Sequence, residues 1–302
     1  MMRPAEKGYR LPEPLPDGLR AIGVEESGRA WLAVLPRLVA EVVERWQLEV
    51  GKPFLDASAS LTLRAADQDG RPLVLKLQYP HREAEQEAAA LRAWGGSGAV
   101  LLLAHDPDRH ALLIERCRPG TPLYELDQDA ALDVLIGLLP RLWRPAAAPF
   151  TSLAEEAAHW SETLPRLWEH AGRPFERELL DAALAVIGEL ASGQGEQVLL
   201  HQDLHTGNVL RAEREPWLVI DPKPLHGERE FGLAPIVRGA ELGHSRKHVL
   251  HRLDRLSGEL GLDHQRACGW AFVQTLAWSI DTVVWTEMVE VARWLRDAYR
   301  RA

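Results

Sequence analysis

The side chains able to do chemistry are concentrated in His201-Gln202-Asp203-Leu204-His205-Thr206-Gly207-Asn208, followed downstream by Leu218-Val219-Ile220-Asp221. The pattern is an aspartate, an amide shortly after it, and a second aspartate at the end of an apolar run. Phosphoryl transfer from a nucleotide asks for these three groups. One carboxylate accepts or orients the proton of an attacking hydroxyl, while an amide oxygen and a second carboxylate hold magnesium on the phosphates. Such hard oxygen donors suit magnesium. The competing reading is a turn in which Asp203 and Asn208 only cap backbone groups.

The flanking residues favour the chemical reading. Val198-Leu199-Leu200 reads as a short buried strand, Asn208 opens a second through Val209-Leu210, and residues 213–216 form a charged turn. Residues 217–220 return as a third strand that delivers Asp221 at its end. A kinase also needs a cation on the nucleotide phosphates. Leu73-Val74-Leu75-Lys76-Leu77 is an apolar strand interrupted by one lysine, and a lysine in such a run is costly unless paired. Residues 81–94 read as a helix with Glu83, Glu87 and Leu91 on one face. Glu87 is the expected partner of Lys76 as a mid-helix residue, with Glu83 as its competitor. The alternative is a strand-edge lysine that snorkels to water beside a solvated acidic helix.

No glycine-rich phosphate loop precedes this strand. Asp56-Ala57-Ser58-Ala59-Ser60 offers small residues and the hydroxyls of Ser58 and Ser60 instead. Ala111-Leu112-Leu113-Ile114-Glu115-Arg116-Cys117-Arg118-Pro119-Gly120 is an apolar strand ending in a Pro-Gly turn. It fits a connector whose backbone, around Glu115 and Cys117, meets adenine. It equally fits any strand-to-turn exit.

The order of elements predicts an α+β, two-lobe architecture resembling protein kinases: a small mixed β-sheet lobe over residues 1–118 and a larger, mainly helical lobe over 119–302, with a nucleotide cleft between. Residues 1–20 carry Pro4, Pro12, Pro14 and Pro16 and are expected as an extended arm. Helices are expected over 31–46, 128–143, 152–170, 176–192, 247–261 and, with a break, 264–299. No apolar run is long enough for a membrane span and no signal peptide is evident. The two cysteines sit in no metal-ligand spacing, and the cytosol is the default compartment. Residues 119–302 hold 19 Lys/Arg against 27 Asp/Glu, so they carry nearly all of the net charge of −9. Acidic surface repels nucleic acid and concentrates cations. It therefore fits a cationic small molecule, although surplus acid also serves solubility alone. The sequence is silent on oligomeric state.

These residues together resemble the aminoglycoside phosphotransferase superfamily, and within it the streptomycin 6-kinase and hydroxyurea phosphotransferase branch. The likeness extends from Trp31 to about Asp281. It is carried by Trp31-Leu32 with Leu35-Pro36, Arg45-Trp46-x-Leu48, Gly51-x-Pro53-Phe54 and Val74-Leu75-Lys76. It continues through Trp94-Gly95-Gly96-x-Gly98, His201-x-Asp203-x-His205-x-Gly207-Asn208 and Ile220-Asp221-Pro222-Lys223. The resemblance implies Asp203 as catalytic base, Asn208 and Asp221 as magnesium ligands, Lys76 on the ATP phosphates with Glu87 as its partner, and His201 as loop support. Lys223 is expected either to neutralise phosphate charge or to be a plain surface lysine. The implied activity is ATP-dependent phosphorylation of a hydroxyl on an aminoglycoside such as streptomycin, giving resistance. Hydroxyurea or another metabolite is the alternative acceptor, and a non-catalytic nucleotide-binding protein the alternative class.

The pattern departs from the superfamily at Gly232, where an aspartate that anchors the catalytic loop is expected. Two outcomes are open: the loop is loosened, or Glu228 or Glu230 substitutes. For substrate, Trp278, Asp281 and Trp285 fall on one predicted helix face as a wall for a guanidinium or amine; core packing is the alternative. Glu155, Glu156 and Trp160 form a similar group.

Overall fold

The structure is a computed structural model that describes residues 9–13, 15–55, 57, 59–82, 84–193, 195–280 and 285–300. The chain divides into two units, residues 1–96 with 100–118 and residues 97–99 with 119–302.

The first unit is built on an antiparallel sheet of order β1-β2-β3-β5-β4. Its strands are β1 (Glu49–Pro53), β2 (Ser60–Ala66), β3 (Pro72–Gln78), β4 (Leu102–Asp106) and β5 (Ala111–Glu115). Side chains alternate across a strand, and here the alternation separates a core from a polar face. Leu61, Leu63, Ala65, Leu73, Leu75 and Leu77 join Trp31, Leu35, Val39 and Val42 of helix α2 (Glu26–Trp46) in one apolar cluster. Lys76 and Gln78 of β3 belong to the opposite face, where Thr62 pairs with Lys76 on one side and Leu112 on the other.

Two expectations fail in this unit. Residues 1–20 are not wholly an extended arm, because helix α1 (Asp17–Ile22) starts within them and buries Leu19 completely. Leu11, Leu15 and Ile22 pack against the same core, so the apolar residues between the prolines act as a hydrophobic tether. Helix α3 spans Glu87–Trp94, not 81–94. Ahead of it, Ala84 N–H donates to His81 O and Glu87 N–H to Ala84 O, three-residue turns tighter than an α-helix. Glu87 thus opens the helix, where a carboxylate is favoured by the exposed N–H groups.

In the second unit, helices α4 (Gln128–Leu142), α5 (Leu153–His170), α6 (Arg177–Ala191) and α8 (Arg246–Leu260) lie where their apolar spacing placed them. The expected helix 264–299 is two, α9 (His264–Ala277) and α10 (Thr286–Tyr299). Every residue of α9 from Ala267 to Ala277 is buried, which makes it the central element of the unit; a helix surrounded on all sides needs no polar face. It stops because Ser279 Oγ donates to Leu276 O, competing for the last carbonyls. Strand β7 (Val209–Arg211) pairs with β8 (Trp217–Val219) as expected. Strand β6 (Val198–Leu200) pairs instead with β9 (Leu225–Gly227), a strand the sequence did not reveal. Helix α7 (Ala234–Arg238) was likewise unforeseen. No described helix is long and apolar enough to cross a membrane.

Candidate active site

Between β6 and β7 the chain forms the loop carrying His201, Asp203 and Asn208. Its shape is fixed by its own polar groups. Asp203 N–H donates to His201 O at 2.8 Å and Asn208 N–H to His205 O at 3.0 Å. Asn208 Nδ2 donates to Asp203 O at 2.9 Å. The β7–β8 register then brings Asp221 alongside Asn208, because Ile220 N–H donates to Asn208 O at 2.9 Å. Lys223 N–H closes the arrangement on His201 O at 3.0 Å. Gln202 and Asp221 both take the left-handed conformation, with φ of 61° and 56°. Aspartate tolerates this region, glutamine less well, and such backbone strain gathers at functional sites.

His201 is 4% exposed. Its Nε2 lies 2.9 Å from Ile220 O, and a carbonyl only accepts, so Nε2 carries the proton of a neutral imidazole. Burial pulls its pKa down to about 4, against the opposing field of Asp203. His201 is therefore a neutral strut across the loop.

The Asp203 carboxylate is flanked by two cations. Lys223 Nζ is 3.1 Å from Oδ2 and Arg238 Nη2 is 3.4 Å from Oδ1. Both cations also lie over the Trp278 ring, Arg238 Cζ at 4.4 Å and Lys223 Nζ at 4.9 Å from its centroid. Burial pulls the Arg238 guanidinium down to about 10, with Asp203 and Glu241 opposing, so it stays charged at neutral pH. The donor set fits a magnesium ion. The Asn208 nitrogen donates to Asp203 O, so its amide oxygen is the atom that could serve as a ligand, and Asp221, next to the Ile220 that bonds Asn208 O, could add a carboxylate. Magnesium is often held by one or two such protein oxygens with phosphates and water completing its shell.

In the first unit, Lys76 Nζ meets Glu87 Oε2 at 2.7 Å, with side chains 9% and 2% exposed. Gln78 Nε2 donates to the same oxygen at 2.6 Å. Glu83 lies outside the described residues. Ser60 is buried on the Lys76 face, with its hydroxyl 3.0 Å from that of Thr62; Ser58 lies outside the described residues. Glu115 Oε2 accepts from Leu101 N–H at 3.0 Å, so this carboxylate braces β5. Cys117 is buried.

The expected substrate wall is not a helix face. Trp278 caps α9, Trp285 precedes α10 and is 58% exposed, and Asp281 lies outside the described residues. Trp278 does attract cations, but the chain's own. Glu155 is taken by a capping box with Ser152. Trp160 packs at 5.9 Å on Phe231, itself against Trp270, and is core. The expected substitutes for an aspartate at Gly232 do not reach the loop either. Glu228 binds Arg266 and Trp270 Nε1, and Glu230 accepts from Asp263 N–H.

A model of the family described as "Aminoglycoside/hydroxyurea antibiotic resistance kinase" matches residues 45–289. The chain belongs to this family. It is 41% identical to a streptomycin 6-kinase of Streptomyces glaucescens, over 91% of this chain and 92% of that one. It is 41% identical to a hydroxyurea phosphotransferase of Kitasatospora aureofaciens, over 84% of this chain and 76% of the other. The crystal structure of aminoglycoside phosphotransferase APH(4)-Ia, in ternary complex with ADP and hygromycin B, superposes with a TM-score of 0.57 at 15% identity. That match covers 87% of this chain and 97% of the other, and it shows the protein-kinase-like fold.

Sequence reasoning about this kinase missed Arg238, Glu241 and Gln274. Arg238 follows an apolar Pro-Ile-Val and Gln274 sits inside a wholly buried helix. A polar residue at an apolar position was the available signal, since burial without a partner is costly.

Proposed function

We propose that this kinase transfers the γ-phosphoryl group of ATP, bound with magnesium, to a hydroxyl of a cationic small molecule of the streptomycin type. The observation that carries the proposal is the Asp203 carboxylate, flanked by cations, on the loop that also presents Asn208, with Asp221 brought beside Asn208 by the β7–β8 hairpin. The substrate oxygen attacks the γ-phosphorus, the bond to the β-phosphate oxygen breaks, ADP leaves, and the hydroxyl proton passes to Asp203 and then to water. Asp203 orients the hydroxyl. Asn208 and Asp221 hold the metal, which neutralises phosphate charge when bound. Lys76, aimed by Glu87, is assigned to the nucleotide phosphates, with the backbone near Glu115 and Cys117 assigned to adenine.

Lys223 and Arg238 divide the work at Asp203. The hydroxyl needs one carboxylate oxygen. Lys223 is 25% exposed, whereas Arg238 is 10% exposed and held by Gln274 at 2.6 Å. Lys223 is thus the cation that swings off Oδ2 and screens the transferring phosphoryl group. The acidic surplus of residues 119–302 favours a cationic acceptor over neutral hydroxyurea, although the 41% identity to a hydroxyurea phosphotransferase makes that the second acceptor to test. Purified protein with ATP and magnesium is incubated with streptomycin, hygromycin B, choline or hydroxyurea, and the acceptor's mass is read. Gain of one phosphoryl group on streptomycin supports the proposal. Transfer to hydroxyurea alone replaces it, and transfer to none of them refutes it.

A further inference from the structure

Position 232 is a glycine, so no side chain there bonds the catalytic loop, and the question is what does hold it. The segment from Val237 to Gly243 touches the loop at two points. Arg238 reaches Asp203 Oδ1 at 3.4 Å. Glu241 Oε1 accepts from Thr206 Oγ1 at 2.9 Å and from Thr206 N–H at 3.2 Å. Glu241 folds back over Gly239, where an added Cβ would lie 3.2 Å from Oε1 and press on the carboxylate that holds Thr206.

Two helices hold this segment. From α8, the buried Arg252 spends its guanidinium on backbone carbonyls. It donates to Val237 O at 2.7 and 3.1 Å, to Leu242 O at 2.6 Å and to Gly243 O at 2.9 Å. From α9, the fully buried Gln274 accepts from Arg238 Nη1 at 2.6 Å and donates to Gln202 O at 3.1 Å. One amide therefore fixes both Arg238 and the strained residue beside Asp203. The planar fork of Arg238 bonds Gln274 through one nitrogen and Asp203 through another while its face lies on Trp278. A lysine has no such fork.

We propose that this Arg252- and Gln274-braced segment is the clamp that fixes the catalytic loop, with Arg238 as a positioning residue for Asp203. The clamp's effect on turnover rests on the phosphotransfer reading, so the test needs a readout independent of turnover. Arg238→Met, Arg238→Lys and Gln274→Leu are compared with wild type for kcat, KM for ATP, thermal unfolding and hydrogen exchange over residues 201–208. Arg238→Met is expected to lower kcat roughly tenfold to a hundredfold, as small misplacements of a catalytic group do, with KM for ATP within about twofold. Arg238→Lys should recover little of it. In an Asp203→Ala background, Arg238→Met should cost nothing further, because it acts through that carboxylate. Exchange of the loop amides should quicken while that of β1 to β5 does not.

A folded Arg238→Met enzyme with kcat within about twofold of wild type overturns the proposal, as does an equal loss with and without the Asp203 carboxylate. If Arg238→Met does not fold, Gln274→Leu decides: unchanged kcat and unchanged loop exchange refute the clamp, and loss of both supports it. Should wild type phosphorylate no acceptor, the functional reading fails. Loop exchange in the variants then still decides the clamp, unaltered rates overturning it and quickened rates supporting it.

Discussion

The Lys76–Glu87 pair is open to a double-mutant cycle that separates function from stability. The charges are 2.7 Å apart and both side chains are under 10% exposed. At an effective dielectric near 20 that separation gives about 6 kcal/mol of attraction before desolvation is subtracted. Lys76→Met leaves the Glu87 carboxylate buried with Gln78 still bonded to it, and Glu87→Met leaves the Lys76 ammonium buried without that carboxylate. Each single change should cost about 3 kcal/mol or more, the usual penalty for removing one member of a buried pair. The double variant Lys76→Met/Glu87→Met should cost under about 1 kcal/mol, since two matched apolar chains replace the pair without a stranded charge. Its ATP turnover should nevertheless be lost. Urea unfolding of the four proteins gives the coupling, and steady-state kinetics in ATP gives the activity. Additive stability losses would refute the pairing argument. A double variant that keeps its KM for ATP and its kcat would remove Lys76 from the nucleotide site.

Asp203→Ala should lower kcat by roughly a hundredfold or more, about 3 kcal/mol of barrier, with ATP binding by calorimetry preserved; near-wild-type turnover would eliminate Asp203 as the base. His201 predicts an acid limb in stability. Its folded pKa of about 4 lies below the ordinary 6.5, so the unfolded chain binds a proton first and stability falls as pH drops from 6.5 toward 4, by about 3 kcal/mol in all. His201→Gln lacks that titration, so an equally steep fall in its urea midpoint would exclude His201 as the cause. Gly232→Asp should leave kcat within about twofold, because the loop is already held elsewhere. Its stability should change by under about 1 kcal/mol, as a Cβ 3.1 Å from Leu200 Cδ2 crowds slightly while the carboxylate comes near the buried, unbonded Trp143 Nε1; a large rise in kcat would mean that the loop is loose.

The core of the candidate site was legible because its residues are local in the chain. Asp203, Asn208 and Asp221 lie on a loop and a hairpin whose strand pairing follows from short apolar runs, and Lys76 stands out as a charge in an apolar strand. The helical segments were legible for a similar reason. A break within residues 264–299 was expected, but apolar residues that continue across the end of α9 hid its position, so Trp278 was placed on a helix face; Ser279 Oγ on Leu276 O lies at that end. Trp278 was therefore assigned to the right chemistry and the wrong partner. The ring attracts cations, but only the fold brings Lys223 and Arg238 to it from distant points in the chain. Strand β9 was missed because Leu225–Gly227 is too short to show alternation.

The two cations at Asp203 also explain how a carboxylate can be fixed and yet available. A group held rigidly on both oxygens would exclude the substrate hydroxyl, and one held on neither would wander. Arg238 is braced by Gln274 and the Trp278 face and is nearly buried, so releasing it would strand a guanidinium in a dry environment, a large penalty. Lys223 is more exposed and sits on a flexible four-carbon stem, so moving its ammonium into water or onto a phosphate is cheap by comparison. The asymmetry lies in the exposure, 25% for Lys223 against 10% for Arg238, and not in the charge, which is the same on both sides. On the proposed phosphotransfer reading it gives Oδ1 to the scaffold and Oδ2 to the substrate, and the departure of Lys223 would then coincide with the arrival of negative charge on the transferring group.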